Sequence, residues 1–434
     1  MTFEGLRRAL ERRAPGRWEL YRKTSHSRER DTCRGNSRIA ERSEEGWAAR
    51  WWEGNTEEPA AALRFAAASS AEMLAAAIED AARLPAGGDP VPDLPARGRK
   101  SPAPEAPAPI EDPPDLGPAL SAAISAASAG TSSLATLAIR VGVAHERIAN
   151  ANGLDVSQAL TAADGVASAI ATNTRETGKG KSSSAAAARA AFRFDPARPD
   201  VERLARRLAD ASLLPLSGRA APFRTGQWLL EPAVAAAVLA AVAPAFCGGR
   251  GPSWLSRETA ASPGVRIVDD AGAEAAWDGE GVATRRMLLV ESGEVVARLY
   301  DLRSGKVAGR PSTGHGARPS FREPPRCEPR KIFFEGSSPA AAETLLSSVR
   351  RGLVARALTA PVRVDLPADR YEAEFTGVSV IGGREQGPVA GARASGRISE
   401  LLRRIAGIGS DVQFFPMPFL AGSGTVLVER AAFD

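Results

Sequence analysis

The feature that most constrains the fold of this chain is an apolar run, PAVAAAVLAAVAPAFCGG, at residues 232–249. Residues 232–247 carry no charge at all. A helix that crosses a membrane needs about 20 apolar residues, whereas this run is short, mostly alanine and interrupted by Pro244. A proline inside a helix removes a backbone hydrogen bond and clashes with the preceding turn. The run therefore predicts a buried helix of a soluble protein rather than a membrane span.

Length and composition indicate a globular protein with more than one domain. The chain has 434 residues, 44% hydrophobic and 25% charged, as in ordinary soluble proteins, and this length predicts two or three domains. The net charge is only +5, and acidic residues are interleaved with the basic ones. A nucleic-acid-binding protein concentrates its basic residues on one face or segment. The charge pattern therefore disfavours a nucleic-acid partner.

The N-terminus and the cysteines predict a cytoplasmic protein. The opening residues, MTFEGLRRALERRAPG, lack the apolar core of a signal peptide. Cys33, Cys247 and Cys327 are odd in number and have no metal-like spacing. We expect each of them to be a small buried or surface residue in a reducing compartment, with no disulfide and no metal.

Residues 1–84 have the pattern of a small α+β domain. A short helix is predicted over 2–12 and a strand over 17–25, followed by two further strands in RIAERS and GWAARWWEG. A helix over 70–84 closes the domain, with Ser70 as its N-cap. The apolar residues at helical spacing in this last helix are Met73, Leu74, Ile78 and Leu84.

Residues 85–116 are rich in proline, a composition that predicts an extended linker. Residues 117–220 form a second α+β region, with a helix over 119–127, a strand in SSLATLAIRVG and a turn at Asn152-Gly153. An amphipathic helix then follows in DPARPDVERLARRLADAS.

Residues 221–434 contain the apolar run and then short alternating segments, separated by Gly, Asp and Pro, which predict a β-rich C-terminal domain of barrel or sandwich type. One helix, in GRISELLRRIAGIG, interrupts these strands. The predicted fold class is therefore α+β, with an N-terminal α/β region and a β-rich C-terminal domain.

Familiar catalytic motifs are incomplete in this chain. TGKGKSSS, from Thr177, ends like a phosphate-binding loop, but Arg175 stands where that loop needs its first glycine. His145-Glu146 begins a zinc motif that no second histidine completes, and the other histidines are His26 and His315. The carboxylates of DDAGAEAAWDGEG, residues 269–281, favour a solvated acidic turn over a cation site. We find no self-sufficient active site.

The order of segments nevertheless resembles the TldD/TldE (PmbA) peptidase family. The likeness lies in ELYRKTS and GWAARWW near the N-terminus, ERIANANGLDVS in the middle, and IVDDAG, WDGEGVAT and PSTGHGAR in the C-terminal half. The stretch 375–411 is similar to the family's last core strand, turn and helix. The family residues matched in WDGEGVAT are Asp278, Glu280, Gly281 and Thr284.

The resemblance implies that the apolar run corresponds to the metal-binding helix of one branch of the family. In the TldD branch of the family, the helix after a segment like LLEPAVAAAVL carries His-Glu-x-x-x-His and binds zinc with a later cysteine. In this chain the motif positions are occupied by Ala240, Ala241 and Ala245. Cys327 is the last cysteine, so the late cysteine is missing too. Alanine cannot ligate zinc, so the chain resembles the metal-free TldE branch, with no catalytic residue and no metal of its own.

The resemblance implies a function and a partner. A TldE-like chain is the non-catalytic subunit of a heterodimer, pairs with a zinc-containing TldD-like subunit and helps to hold extended or unfolded peptides for proteolysis. Residues expected at the substrate groove or the subunit interface are Asp278, Glu280, Ser312, Thr313 and His315. For each of them, the alternative is that it only caps a turn.

Three other hypotheses stay open. The chain is a stand-alone peptidase with a rearranged metal site near His145 or His315, or a peptide-binding scaffold without a protease partner, or a nucleic-acid-binding protein. Zinc content would test the first hypothesis, and a neighbouring gene for a His-Glu-x-x-x-His subunit would argue against the second. Salt-dependent retention on nucleic acid would test the third. In the absence of a partner, a homodimer is also possible.

Overall fold

The N-terminal half of the chain is built on long antiparallel strands and the C-terminal half on a small barrel with a second sheet beside it. A computed structural model describes residues 1–33, 35–54, 60–85, 87–96, 111–175, 184–249, 251–255 and 260–434. Two predictions fall partly outside these described residues, namely the linker over 97–110 and the loop TGKGKSSS over 177–183.

Eight α-helices occur in the described part of the chain. They are α1 (Phe3–Arg13), α2 (Ala71–Arg83), α3 (Gly117–Ala127), α4 (Val201–Ser217), α5 (Pro232–Val242), α6 (Leu302–Ala308), α7 (Ala342–Ser347) and α8 (Ile398–Arg403).

At the start of α2, the Ser70 hydroxyl accepts a hydrogen bond from the backbone N–H of Met73, which confirms the predicted N-cap. On this helix Leu74 and Ile78 are buried, but Met73 and Leu84 are exposed. Helical spacing alone therefore predicted too wide an apolar face.

A seven-stranded antiparallel sheet joins both regions on either side of the proline-rich segment. Its strands are β1 (Trp18–Cys33), β2 (Asn36–Glu53), β3 (Ala60–Ala68), β4 (Gly88–Pro90), β5 (Ser132–Asn150), β6 (Asp155–Arg175) and β7 (Ser184–Phe194). They lie in the order β4-β3-β2-β1-β5-β6-β7, so β1 from the first region pairs along most of its length with β5 from the second. The predicted turn at Asn152-Gly153 is confirmed between β5 and β6.

The prediction of two separate strands in RIAERS and GWAARWWEG is wrong, because both belong to the single strand β2. Cross-strand pairing with β1 continues through Gly46, which lies opposite Lys23. A Cβ atom on Gly46 would lie 2.0 Å from the ring of Phe321. Gly46 therefore allows Phe321 of the C-terminal half to pack closely against the strand, and it does not end the strand.

The proline-rich segment is packed against the sheet at its start. β4 pairs with β3, Leu94 is buried, and the Asn150 side chain donates a 2.8 Å hydrogen bond to the Pro95 carbonyl. Residues 88–96 are therefore ordered, which composition alone did not predict.

Helices cover the sheet at two places. α1 and α2 bury Leu6, Leu10 and Leu74 against the tryptophans of β1 and β2. Farther along the sheet, α3 and α4 bury Leu120 and Leu208 against β5, β6 and β7. Each helix has one apolar face, so each needs the sheet to complete its core.

The C-terminal half contains fifteen further strands in the described residues. They are β8 (Thr225–Leu230), β9 (Val265–Asp270), β10 (Arg286–Glu291), β11 (Glu294–Val295), β12 (Gly316–Ala317), β13 (Arg326–Cys327), β14 (Lys331–Gly336), β15 (Arg351–Leu358), β16 (Arg363–Asp365), β17 (Arg370–Ile381), β18 (Arg384–Gly396), β19 (Ile405–Ile408), β20 (Gln413–Pro416), β21 (Leu420–Ser423) and β22 (Val426–Phe433). Five of them close a barrel, because β15 pairs with β8, β8 with β22, β22 with β18, β18 with β17, and β17 again with β15. The predicted α+β fold with a barrel-type C-terminal domain is thus confirmed.

Beside the barrel lies a six-stranded sheet in the order β11-β10-β9-β14-β21-β20. Helix α5 packs in the core with residues of both, and Val238, Leu239 and Val242 are buried. A helix that is apolar on every side must be enclosed by protein or by lipid. Here it is enclosed by protein, as predicted. Within the described residues, no helix combines the length and the apolar character that a membrane crossing requires.

One predicted helix is only half helical. GRISELLRRIAGIG contains α8, which ends at Arg403, and then β19, which pairs with β22. The β-branched residues Ile405 and Ile408 are both buried there, which favours the strand.

Candidate functional site

The alanine positions of the expected metal motif lie at the end of α5. Pro232 follows the N-cap Glu231 and occupies the first turn of the helix, where proline is tolerated. The α-helix ends at Val242, and Ala243–Phe246 continue as a 3₁₀ turn that contains Pro244. Ala240 and Ala241 thus lie on the α-helix, whereas Ala245 lies beyond it. The local helix distortion that Pro244 predicted is confirmed.

The three histidines occupy different surroundings. His26 lies on β1 beside Ser43 and Glu41, and His145 lies on β5. His315 is buried in the C-terminal half. Among the described residues, no three His, Cys, Asp or Glu side chains are grouped closely enough to hold a metal ion.

Asp278 is buried and organises a turn. Its Oδ1 accepts 2.9 Å hydrogen bonds from the backbone N–H groups of Glu280 and Val282, and its Oδ2 accepts one of 2.8 Å from Gly316. Burial raises the pKa of Asp278, and the three N–H donors oppose that rise. The side chain joins the turn at 278–282 to the segment that contains Gly316.

Glu280 lies at the contact between the two halves of the chain. Its carboxylate accepts hydrogen bonds from Arg50 of β2 at 2.6 Å and from the backbone N–H of Leu302, the first residue of α6, at 2.7 Å. Arg50 also pairs with Glu19 of β1 at 2.9 Å, and Arg318 contacts the other Glu19 oxygen. Burial raises the pKa of Glu280 from its ordinary 4.5 to about 8, against the opposing effect of Arg50.

Ser312, Thr313 and His315 form a second turn next to this network. The Thr313 hydroxyl accepts a 2.8 Å hydrogen bond from the backbone N–H of Tyr300, and the Ser312 hydroxyl accepts one of 3.2 Å from that of Gly314. His315 Nδ1 lies 2.9 Å from the Thr313 hydroxyl, and its Nε2 lies 3.2 Å from Asp269 Oδ1. Both ring nitrogens are therefore engaged within the chain.

The expectation of a solvated acidic turn at 269–281 is wrong for three of its five carboxylates, because Asp269, Asp278 and Glu280 are all 0% exposed, whereas Glu274 is exposed. The oxygens of the three buried carboxylates accept hydrogen bonds from backbone N–H groups and from arginine, which makes burial of the charges tolerable. The structure thus shows the turn-forming alternative for Asp278, Ser312 and Thr313. Direct contact of the five candidate residues with a peptide or a partner stays a prediction.

Thr313 also borders a cavity of about 350 Å³. The cavity lies beside the β10–β11 edge of the six-stranded sheet, and its walls are mainly apolar. They are formed by Leu255, Met287, Val295, Val296, Ala297, Arg298, Tyr300, Arg310, Pro311 and Thr313. Arg298 Nη1 is buried and has no hydrogen-bond partner among the residues that the structure describes, and desolvation lowers the pKa of this guanidinium. A donor in such a position is available to a ligand that carries a carbonyl or carboxylate.

Sequence analysis missed Glu19, Arg50, Arg318 and Arg298. Two of them had a detectable signal, because Glu19 follows Trp18 and Arg50 precedes Trp51 in strands whose neighbouring residues are apolar. A charge inside a buried strand needs a partner. Arg318 and Arg298 lie in polar, turn-rich sequence and had no comparable signal.

Comparison with known families and structures gives a consistent result. Residues 225–434 match the family model of the PmbA/TldA metallopeptidase C-terminal domain. A comparison with curated proteins finds no match.

Three solved structures share the fold over nearly the whole chain. TldE from Thermococcus kodakarensis has a TM-score of 0.81 and 20% identity, covering 99% of both chains. A candidate modulator of DNA gyrase from Thermotoga maritima has a TM-score of 0.74 and 16% identity, covering 100% of both chains. A second such candidate, from Bacteroides thetaiotaomicron, has a TM-score of 0.68 and 14% identity, covering 100% of this chain and 99% of its own. At these identities the likeness shows the fold.

Proposed function

Since its C-terminal domain makes this chain a member of the TldD/TldE (PmbA) family, we propose that it acts as the non-catalytic, TldE-like subunit of a zinc metallopeptidase. In this role the chain pairs with a TldD-like subunit and helps to hold extended or unfolded peptides while the partner cuts them. The likeness to a solved TldE over almost the full length supports the choice of branch.

The observation that carries the proposal is the chemistry of α5. Water-driven peptide cleavage at zinc needs side chains that ligate the metal and a base that activates the water. Ala240, Ala241 and Ala245 have neither kind of group, and Pro244 places the last of these positions in a 3₁₀ turn. The helix retains a packing role in the core, which explains why it persists without metal ligands.

The cavity beside the β10–β11 edge is the proposed contact with the peptide. β11 pairs with Val290 and Glu291, and the Leu289 carbonyl accepts a 2.9 Å hydrogen bond from the N–H of Val296. Residues 286–288 of β10 therefore have no strand partner on that side within the described residues. An extended peptide can add to such an edge through backbone hydrogen bonds alone. Arg298 is positioned to donate to the peptide backbone, and Thr313 borders the same cavity.

Co-expression with the TldD-like protein of the same genome tests the subunit role. We expect the two chains to co-purify, and the pair to cut an unstructured peptide in a zinc-dependent way while this chain alone holds no stoichiometric zinc. Separate elution of the two chains, or equal cleavage by the partner alone, would sink the proposal. Stoichiometric zinc and cleavage in this chain alone would instead support a rearranged metal site.

An Arg298→Met variant tests the peptide contact. Loss of one charged hydrogen-bond donor should raise the KM of the pair by roughly tenfold, with kcat little changed, because the arginine is not at the metal. Arg285→Met is the matched control, since Arg285 is exposed and does not border the cavity. Equal KM values for both variants would exclude this cavity as the peptide site.

A further inference from the structure

A second groove, away from the β10–β11 cavity, is lined by four arginines. It has a volume of about 220 Å³ and lies where the end of β7 and the start of α4 meet β20. Arg193, Arg198, Arg203 and Arg207 border it, together with Phe194, Gln413, Phe414 and Phe415. None of the four arginines forms an ion pair with any residue of the part of the chain that the structure describes. We call it the arginine groove.

Arg207 is the innermost of these arginines. Its guanidinium carbon lies 4.3 Å from the ring centre of Phe192 and 5.5 Å from that of Phe415. Its Nη2 is buried and has no hydrogen-bond partner within the described part of the chain. Desolvation lowers the pKa of this guanidinium. A buried donor without a partner is costly, and an anion in the groove would remove that cost.

Two carboxylates, Asp195 and Asp200, also line the groove, and each of them accepts a backbone hydrogen bond. Asp200 caps α4 by accepting a hydrogen bond from the backbone N–H of Arg203 at 3.0 Å, and Asp195 accepts one from that of Ala197 at 2.9 Å. Glu231 is close enough to influence Arg207, but its ion pair is with Arg356 at 3.5 Å. A backbone hydrogen bond leaves the charge of an aspartate in place, so the groove has a net positive charge, with four arginines against two aspartates.

An apolar pocket of about 140 Å³ adjoins the arginine groove, since Arg193 and Phe415 border both. Its other walls include Phe192, Leu358 and Met417, and three residues of α5, namely Ala233, Val234 and Ala237. A cavity of about 150 Å³ is large enough for a benzene ring. The pocket thus has room for one bulky apolar side chain.

We propose that the arginine groove and its apolar pocket bind the end of a peptide chain, with the terminal carboxylate on Arg207 and its neighbours and the last, apolar side chain in the pocket. Arginine presents paired N–H donors that match a carboxylate, and the pocket shares the walls Arg193 and Phe415 with the groove. The small volumes and the single apolar pocket favour a peptide end over a nucleic-acid strand, which needs an extended basic track and stacking surfaces. The inference depends on the proposed function only for the choice of a peptide.

Binding to the isolated full-length chain tests this inference without any partner subunit or cleavage. Four peptides of four residues, labelled with fluorescein at the N-terminus, end in leucine or glycine, each as the free acid or the amide. Fluorescence anisotropy should show the leucine acid binding at least tenfold more tightly than its amide and than the glycine acid. Equal binding of acid and amide would overturn the proposal.

Two variants locate the site. Arg207→Met keeps the apolar contact with Phe192 and removes a buried charge, so the chain should fold and bind the leucine acid at least tenfold more weakly. Arg203→Gln, at an exposed position of the groove, should weaken binding several-fold without any effect on folding. Arg206→Met is the control, because Arg206 lies on the outer side of α4 and pairs with Glu202.

Unchanged affinity in Arg207→Met and Arg203→Gln would overturn the assignment. Complete displacement of the peptide by millimolar inorganic phosphate or by single-stranded DNA would also overturn it, in favour of a general anion site. Failure to pair with a TldD-like subunit would leave this result unaffected, so the two proposals fail separately.

Discussion

At the scale of single residues, Arg50 is expected to have a large effect on the free energy of unfolding. Its guanidinium is 5% exposed and lies between Glu19 and Glu280, one from each half of the chain. In Arg50→Met, the buried Glu19 carboxylate loses one of its two cations and Glu280 loses its side-chain hydrogen-bond donor, which costs about 3 kcal/mol or more. Urea unfolding followed by circular dichroism measures this loss.

The control for Arg50→Met is Arg140→Met in the same sheet. Arg140 pairs with Glu29 at 2.9 Å, but both side chains are substantially exposed, and such pairs contribute about 0–1 kcal/mol. Similar losses of unfolding free energy in the two variants would show that burial of the Arg50 ion pairs does not increase their contribution to stability.

Glu280 gives the molecule a predicted pH dependence. Burial raises its pKa to about 8 in the folded chain, against 4.5 ordinarily. The folded chain thus keeps the Glu280 proton in a pH range where the unfolded chain has lost it. This contribution to the free energy of unfolding is fully present below about pH 4.5 and is lost as pH rises through 8.

Glu280→Gln isolates this contribution, since the amide does not titrate in this range and can still accept from Arg50. Between pH 5 and 8, each pH unit should cost the wild-type chain up to about 1.4 kcal/mol more than the variant. Urea unfolding at pH 5, 6.5 and 8 measures the two slopes. Parallel slopes would mean that Glu280 is ionised throughout this range.

At the scale of elements, local sequence patterns predicted most helices and strands. The wrong predictions concern residues whose structure depends on contacts with distant parts of the chain. Ser70, the turn at Asn152-Gly153 and the apolar run gave elements whose signals lie within a few residues. Gly46 was assigned to a strand boundary because nothing nearby shows that Phe321 packs against it. Ile405 and Ile408 fit the helical spacing of α8, but barrel pairing places them in β19.

The candidate site shows the same limit. The motif resemblance named Asp278, Glu280 and His315 as candidates for the substrate groove or the interface, and their contact with a peptide or a partner stays a prediction. The structure places their two turns together, since the Gly316 N–H donates to Asp278. Their burial depends on Arg50 and Arg318, which approach from other elements. The motif contains the carboxylates, but the arginines that allow their burial come from distant positions in the sequence, so the motif alone does not predict the burial.

Helix α5 carries a prediction about metal binding. A triple variant, Ala240→His, Ala241→Glu and Ala245→His, restores the motif letters of the TldD branch. We expect no stoichiometric zinc in the purified variant, because Ala245 lies in the 3₁₀ turn that contains Pro244 and no cysteine follows Cys327. Elemental analysis after dialysis against micromolar zinc is the measurement.

The control for the triple variant adds Pro244→Ala, which permits the α-helix to continue. Tight zinc binding by the triple variant alone would show that the distortion of α5 is no barrier to a metal site. Zinc binding only in the presence of Pro244→Ala would identify the proline as that barrier.

At the scale of the whole molecule, the two halves are joined by a contact of mixed chemistry. Phe321 packs with Tyr21 and Ile148 in a buried cluster, and Arg318 and Arg50 lie beside it. Helix α4 adds a second connection, because Leu214 packs with Leu229 of the barrel. Buried apolar and ionic contacts of this extent predict that both halves unfold together.

Phe321→Ala tests this coupling. Removal of a buried aromatic side chain costs about 3–5 kcal/mol, and here the loss falls on the contact between the halves rather than inside either core. In the wild-type chain, hydrogen exchange should report similar opening free energies for β1–β5 and for the barrel strands β8 and β22. In Phe321→Ala, the two sets should separate, and the calorimetric enthalpy of unfolding should exceed the van't Hoff enthalpy. Arg140→Met should keep a single transition, and a single transition in Phe321→Ala as well would locate the coupling in α4 rather than at this contact.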